Sequence, residues 1–202
     1  MYLAEPFLQP GPRVAAPPRF AVHAAAQPAR ARVEAFVREV YAAHYGAQVR
    51  QFMPVLVSLE DDAGLVVAAA GYRSAVQPLF LERYLDRPVE QVLADAAGAT
   101  VPRAAIAEVG HFASVQPGQG RRLMAYVGQH LAAAGFQWVV STATRELRVI
   151  FERVRIRPVT LGAADPAVLG AAADDWGSYY AHAPLVLAGE VRSNLARFAR
   201  AA

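Results

Sequence analysis

Glu108-Val-Gly-His-Phe-Ala-Ser-Val-Gln-Pro-Gly-Gln-Gly-Arg-Arg122 reads as a strand carrying one carboxylate that runs into a glycine loop and then a helix. Residues 104–109 are apolar except for Glu108, and residues 112–115 continue the run. Gln116-Pro117-Gly118-Gln119-Gly120 breaks it before Leu123, Val127 and Leu131 recur at helical spacing. Glycines beside a helix start leave backbone N–H groups unpaired at the positive end of the helix dipole, where an anion is favoured. The spacing marks a candidate phosphate loop, and a plain strand-to-helix turn has the same outline.

Several phosphate sites are excluded. Every basic residue of the chain is arginine, so a nucleotide loop ending in Gly-Lys-Ser/Thr is absent, as is any Schiff-base lysine. A dinucleotide fingerprint needs a third glycine and an acid at the end of the next strand, where residues 136–142 offer only Ser141 and Thr142. What remains, Val115-Gln-Pro-Gly118-Gln-Gly120, resembles the Q/R-x-x-G-x-G/A pyrophosphate loop of the GNAT acyltransferase superfamily. Here Val115 stands in the first position, with Gln116 beside it.

Working outward, five segments occur in order: Gly71-Tyr-Arg73, Pro78-Leu-Phe-Leu-Glu82-Arg-Tyr-Leu-Asp86-Arg-Pro-Val-Glu90, Ile106 to Ser114, Gly135-Phe-Gln-Trp138 and Asp175-Trp-Gly-Ser-Tyr-Tyr180. Together they resemble the thermostable hemolysin family over roughly residues 31–191. The pattern is also similar to GNAT-like enzymes and to acyl-homoserine-lactone synthases, with Gly71, Arg73, Glu108 and Phe112 in comparable places. His111 stands where those synthases carry arginine, a departure that speaks against S-adenosylmethionine as substrate. The resemblance implies a coenzyme A or phosphopantetheine thioester as co-substrate, with no permanently bound cofactor. Phe112, Ser114, Val115, Gln116, Gly118, Gly120 and Arg121 would hold that donor. Arg73, His111 and Trp176 would meet the acceptor.

Each candidate has a plainer reading. A carboxylate inside an apolar strand must be paired or face a cleft, so Glu108 is either the general base for an attacking amine or the ion-pair partner of Arg73. His111 should point away from Glu108 unless a bulge at Gly110 re-aims it. Tyr179 or Tyr180 would protonate the departing thiolate, or both pack as aromatics at the sheet edge. Ser114 lacks the Gly-x-Ser-x-Gly elbow of a triad nucleophile. No histidine and acid pair has zinc-ligand spacing, so no metal site is expected.

Composition bounds the rest. The chain has 202 residues, 55% of them hydrophobic, enough for one sizeable core. The net charge of +3 is spread along the chain without aromatic interleaving, which does not suggest nucleic acid. Cysteine is absent, which removes disulfides and a thiol nucleophile. Residues 1–30 read as a Pro/Ala-rich arm rather than a signal peptide, and residues 31–202 as one GNAT-like domain. No window spans a bilayer, so a cytoplasmic protein is expected.

Expected elements are an amphipathic helix over residues 33–41 ended by Gly46, and a hairpin of 55–59 with 65–71. Pro88 opens a helix to 97. A strand near 104, a helix from 121, a strand near 136, a helix over 145–153, another from Pro166 and a last strand over 184–191 follow. That order is an α/β fold with a GNAT-like mixed sheet flanked by helices. The expected function is transfer of an acyl group from acyl carrier protein or acyl-CoA to a small amine or amino-acid-like acceptor. A non-catalytic ligand-binding protein and a membrane-active hemolysin are the alternatives.

Overall fold

The apolar runs on either side of Asp61-Asp62-Ala63-Gly64 pair as a hairpin, β2 (Val55–Glu60) with β3 (Val66–Ser74). The Asp61 carboxylate fixes the turn by accepting from the N–H groups of Ala63 and Leu65 at 3.0 and 2.9 Å. In the computed structural model, which describes residues 17–201, the hairpin belongs to a seven-stranded sheet. Its other strands are β1 (Arg19–Ala24), β4 (Ile106–Ser114), β5 (Trp138–Ala143), β6 (Val159–Ala163) and β7 (Leu185–Glu190), in the order β1-β2-β3-β4-β5-β7-β6. Only β4 and β5 run parallel; all other neighbours are antiparallel.

Helices cover both faces. On one face, α1 (Arg30–Tyr45) packs Val33 and Val37 on Leu56, Ala69 and Ala113, while α2 (Val89–Ala97) packs Val89 and Leu93 on Ile106, Val140 and Val186. On the other, Leu123, Val127 and Leu131 of α3 (Gln119–Ala133) cover Val57, Ala70 and Ala107. The i, i+4 recurrence of those three residues lays one apolar stripe on the sheet. The chain continues through α4 (Arg145–Arg153) and ends in α5 (Val191–Ala201), which lies close on α3. A methyl group on Gly128 of α3 would meet Leu195 of α5 at 2.9 Å.

The expected α/β class and mixed sheet are borne out, as are the Gly46 cap in the left-handed conformation and the helix over 145–153. Several expectations are corrected. Residues 19–24, read as part of the arm, form β1 in register with β2; residues 1–16 of that arm lie outside the described residues. Pro88 precedes α2 rather than opening it, because its ψ of 141° is extended. The segment after Asp165 is a run of tight 3-10 turns, Pro166–Trp176, broken at Gly170. Neither β6 nor α5 was anticipated: β6 is mostly exposed and too short to show alternation, and α5, whose Val191, Leu195 and Phe198 recur at helical spacing, begins directly where β7 ends, so its first residue reads as strand.

Candidate active site

Strand β4 supplies the centre of the site through two departures from regular pairing. The first is a bulge. Register between β3 and β4 shifts after Gly71↔Gly110, and His111 takes a φ of 53°. Gly110 and His111 therefore turn to the same face as Glu108, where the His111 ring lies 6.4 Å from Tyr41 and 5.3 Å from Phe52. Phe112 falls on the opposite face, against Gly120. The second departure is that β4 and β5 pair only from Ile106↔Trp138 to Glu108↔Val140. Beyond Glu108 the β5-side edge of β4 has no strand partner, so its backbone groups are left to whatever enters the gap.

Glu108 is 3% exposed and fully engaged. Its Oε2 accepts from the Phe80 N–H and its Oε1 from the Leu81 N–H, both at 3.0 Å, at the start of the 3-10 turn Leu81–Tyr84. Arg73, directly across the ladder, places Nε 3.4 Å from Oε2. Burial pushes the Glu108 carboxyl up, against the downward pull of the two N–H groups and Arg73. The same loop is tied from outside by Glu82. Burial would raise that carboxyl, but Arg103 and the N–H groups of Val89 and Leu79 hold it at about 2.

His111 is neutral at pH 7. Burial and the neighbouring Arg73 charge push its imidazolium down to about 4. His111 Nδ1 is a buried polar atom that makes no hydrogen bond, and Arg73 Nε makes none beyond its ion pair with Glu108. Buried polar groups are normally satisfied, so an open ring nitrogen in this cleft suits a ligand that donates or accepts there.

An aromatic wall faces these groups. Trp176 lies 5.8 Å from Phe80 and 5.4 Å from Tyr179 between ring centroids. The Tyr179 hydroxyl donates to the Thr142 carbonyl at 3.1 Å, which assigns its proton to the backbone of β5. The Tyr180 hydroxyl instead shares a 2.5 Å hydrogen bond with that of Tyr84. Burial raises all three phenols above their ordinary value, so they stay protonated at neutral pH. Arg83 stacks 5.0 Å over the Phe80 ring at the rim.

The glycine loop enters α3 as the sequence predicts. Gly118 caps the helix with a φ of 81°, a conformation that glycine adopts without strain. The Gln119 N–H bonds to the Gln116 carbonyl, and the first turn carries Arg121 and Arg122 with no acid. Arg121 stacks 5.5 Å over the Phe198 ring of α5, and positive charge in the first turn adds to the positive end of the helix dipole.

These features meet in one cavity of about 760 Å³. It passes through the gap between β4 and β5 and so opens on both faces of the sheet. Arg73, Glu108, His111, Phe112, Ser114, Trp176, Tyr179 and Tyr180 all line it. Val115, Gln116, Gly118, Gly120 and Arg121 do not; they form the loop after β4 and the first turn of α3, beyond its walls, with Val115 59% exposed. Tyr84, Phe80 and Arg83 also face the cavity and were not singled out as site residues in the sequence. Their signal lay in the quoted Phe80-Leu-Glu-Arg-Tyr84 segment, where an aromatic on each side of two charges reads as surface until the loop folds over Glu108.

The mixed sheet flanked by helices is a GNAT-like fold, and solved structures share the fold. An N-acyl amino acid synthase, FeeM, from uncultured soil microbes superposes with a TM-score of 0.58 at 15% identity, covering 88% of this chain and 93% of that one. The CoA-dependent acyl-homoserine lactone synthase MesI gives 0.57 at 14%, covering 91% and 94%. A putative N-acetyltransferase from Lactobacillus plantarum gives 0.52 at 14%, covering 85% and 98%. Comparison of the sequence with curated proteins returns no match. The family model for thermostable hemolysin matches residues 23–195, and the chain belongs to that family.

Proposed function

We propose that this protein is an N-acyltransferase that moves an acyl group from a phosphopantetheine thioester to a small amine or amino-acid-like acceptor. The observation that carries the reading is the cavity through the gap between β4 and β5, with a glycine-capped helix start just after the end of β4. A thioester lying in the gap would meet the free edge of β4, whose N–H groups suit an oxyanion held in place before the reaction. The loop Val115 to Arg121 would take the donor's phosphate, with Phe112 and Ser114 beside the pantetheine. The acceptor would enter from the aromatic side, between Trp176, His111 and the Arg73 guanidinium.

In this reading Glu108 accepts the proton of the attacking amine, a task that its raised pKa favours. Tyr180, backed by Tyr84, returns a proton to the leaving thiolate; Tyr179, tied to Thr142, is less free to do so. A second role for Glu108 is supported by its bonds to Phe80 and Leu81, namely anchoring the loop that forms the acceptor wall. A carrier protein is the favoured donor source over coenzyme A. Helices α3 and α5 carry Arg121, Arg122, Arg192, Arg197 and Arg200 and no acidic residue, which suits an acidic carrier. A cytoplasmic location goes with such a donor.

The rival reading as a membrane-active hemolysin has less support. Among the described residues no helix is long and apolar enough to cross a membrane. Incubating the protein with acyl-phosphopantetheine and a panel of amino acids, and reading free thiol and product mass, tests the proposal. Failure to release thiol above the acceptor-free rate with any amine overturns it.

A further inference from the structure

The branch of the cavity on the α3 face has a different chemistry from the aromatic side. Helix α4 places Leu147, Ile150 and Phe151 on one side of its axis, yet none of its residues is fully buried, because this apolar side faces the cavity instead of a packed core. Gly128 of α3 and Leu195 and Phe198 of α5 form the facing wall. Of the polar groups along it, Asn194 accepts the Arg157 N–H at 3.3 Å. The α3 residues that line this branch run from Met124 to Leu131, seven helical steps or about 10 Å, the length of an extended octanoyl chain. An acetyl group would leave it largely empty, and protein interiors do not sustain unfilled apolar space of this kind without cost.

We infer that this branch holds the acyl chain of the donor, that the chain is octanoyl or longer, and that Leu195 opposite Gly128 sets the width of the branch midway along it. The inference rests on the acyltransferase reading for the position of the thioester. Leu195 fits that role because its Cδ2 already lies 2.9 Å from where a Cβ on Gly128 would stand. A larger residue at Gly128 therefore drives Leu195 toward the cavity, while truncation of Leu195 widens the branch. Binding of the chain is hydrophobic, so affinity climbs with each methylene until the wall is met and then stays level.

The test uses alkyl thioethers of phosphopantetheine, which cannot transfer their chain and which mimic carrier-bound and coenzyme A donors alike. Calorimetry on the full chain should give about fourfold tighter binding per methylene between butyl and octyl, then a plateau. Gly128→Leu, which closes the branch midway, should move the plateau to shorter chains, and Leu195→Ala should tighten binding of a chain methyl-branched at its middle relative to the straight one; melting temperatures identify any variant that fails to fold, and Leu195→Met serves as the milder substitution. Equal binding of ethyl and octyl thioethers, with phosphopantetheine itself bound, overturns the chain inference and leaves the donor reading intact. Binding of free laurate that weakens in Gly128→Leu, with no phosphopantetheine compound bound, supports the chain site and removes the donor reading. Binding of neither class overturns both.

Discussion

Glu108 and Val140 are the last residues that β4 and β5 pair, and past them the two parallel strands part. The residue at the parting point is thus the buried carboxylate whose side chain also ties down the loop at Phe80 and Leu81. One residue stands where the sheet opens and where the acceptor wall is fastened, so disturbing it should affect both stability and chemistry.

Glu108→Gln is expected to lower turnover by roughly a hundredfold, because the amide cannot accept a proton. It is also expected to lower Tm on the order of 10 °C, since Arg73 loses its partner and an amide N–H₂ faces a backbone N–H. Thiol release and thermal unfolding measured on one preparation separate the two roles. A destabilised protein with full turnover per folded molecule would confine Glu108 to anchoring.

Gly120→Ala tests the donor loop. The added Cβ would lie 3.4 Å from the Phe112 ring, an ordinary contact, and alanine favours the helix. Tm should therefore hold or rise slightly, while closer backbone approach by the donor phosphate is obstructed and its Kd rises about tenfold. Unchanged phosphopantetheine affinity in a folded Gly120→Ala protein removes the loop from the site.

Stability should depend on pH through His111. Its folded pKa of about 4 lies below the unfolded value of 6.5, so the unfolded chain binds more protons between them. The contribution is present above pH 6.5 and is lost as pH falls to about 4, with a slope of up to about 1.4 kcal/mol per unit for one proton. Burial depresses His23 and His130 in the same sense, whereas Glu108, raised, acts in the opposite one. His111→Asn, which tolerates the positive φ, should flatten the profile over that window. Parallel profiles for the two proteins would count against a buried neutral His111.

Purified protein free of product should release no dye from liposomes at concentrations where pore-formers act. The structural ground is that the apolar side of α1 is spent on Leu56, Ala69 and Ala113, and that of α4 faces the cavity. Release by a monodisperse preparation would favour the hemolysin reading.

Much of this molecule was legible in its sequence because the signals were local. Hydrophobic periods gave α1, α3 and the β2–β3 hairpin, Gly46 and Gly118 marked helix ends, and the order of segments pointed to the fold. Elements whose burial depends on distant partners were not legible: β1 gains its place only by pairing with β2, and α5 by lying on Gly128. The same division holds at the site. A lone carboxylate in an apolar strand already required Glu108 to be paired or to face a cleft. That Phe80 and Leu81 pair it, that a bulge turns His111 to its side, and that Tyr84 rather than Tyr179 partners Tyr180 were decided by tertiary structure. Hydrophobic period and turn chemistry act over a few residues, whereas the parting of β4 from β5 and the cavity through it depend on packing between segments far apart in the chain.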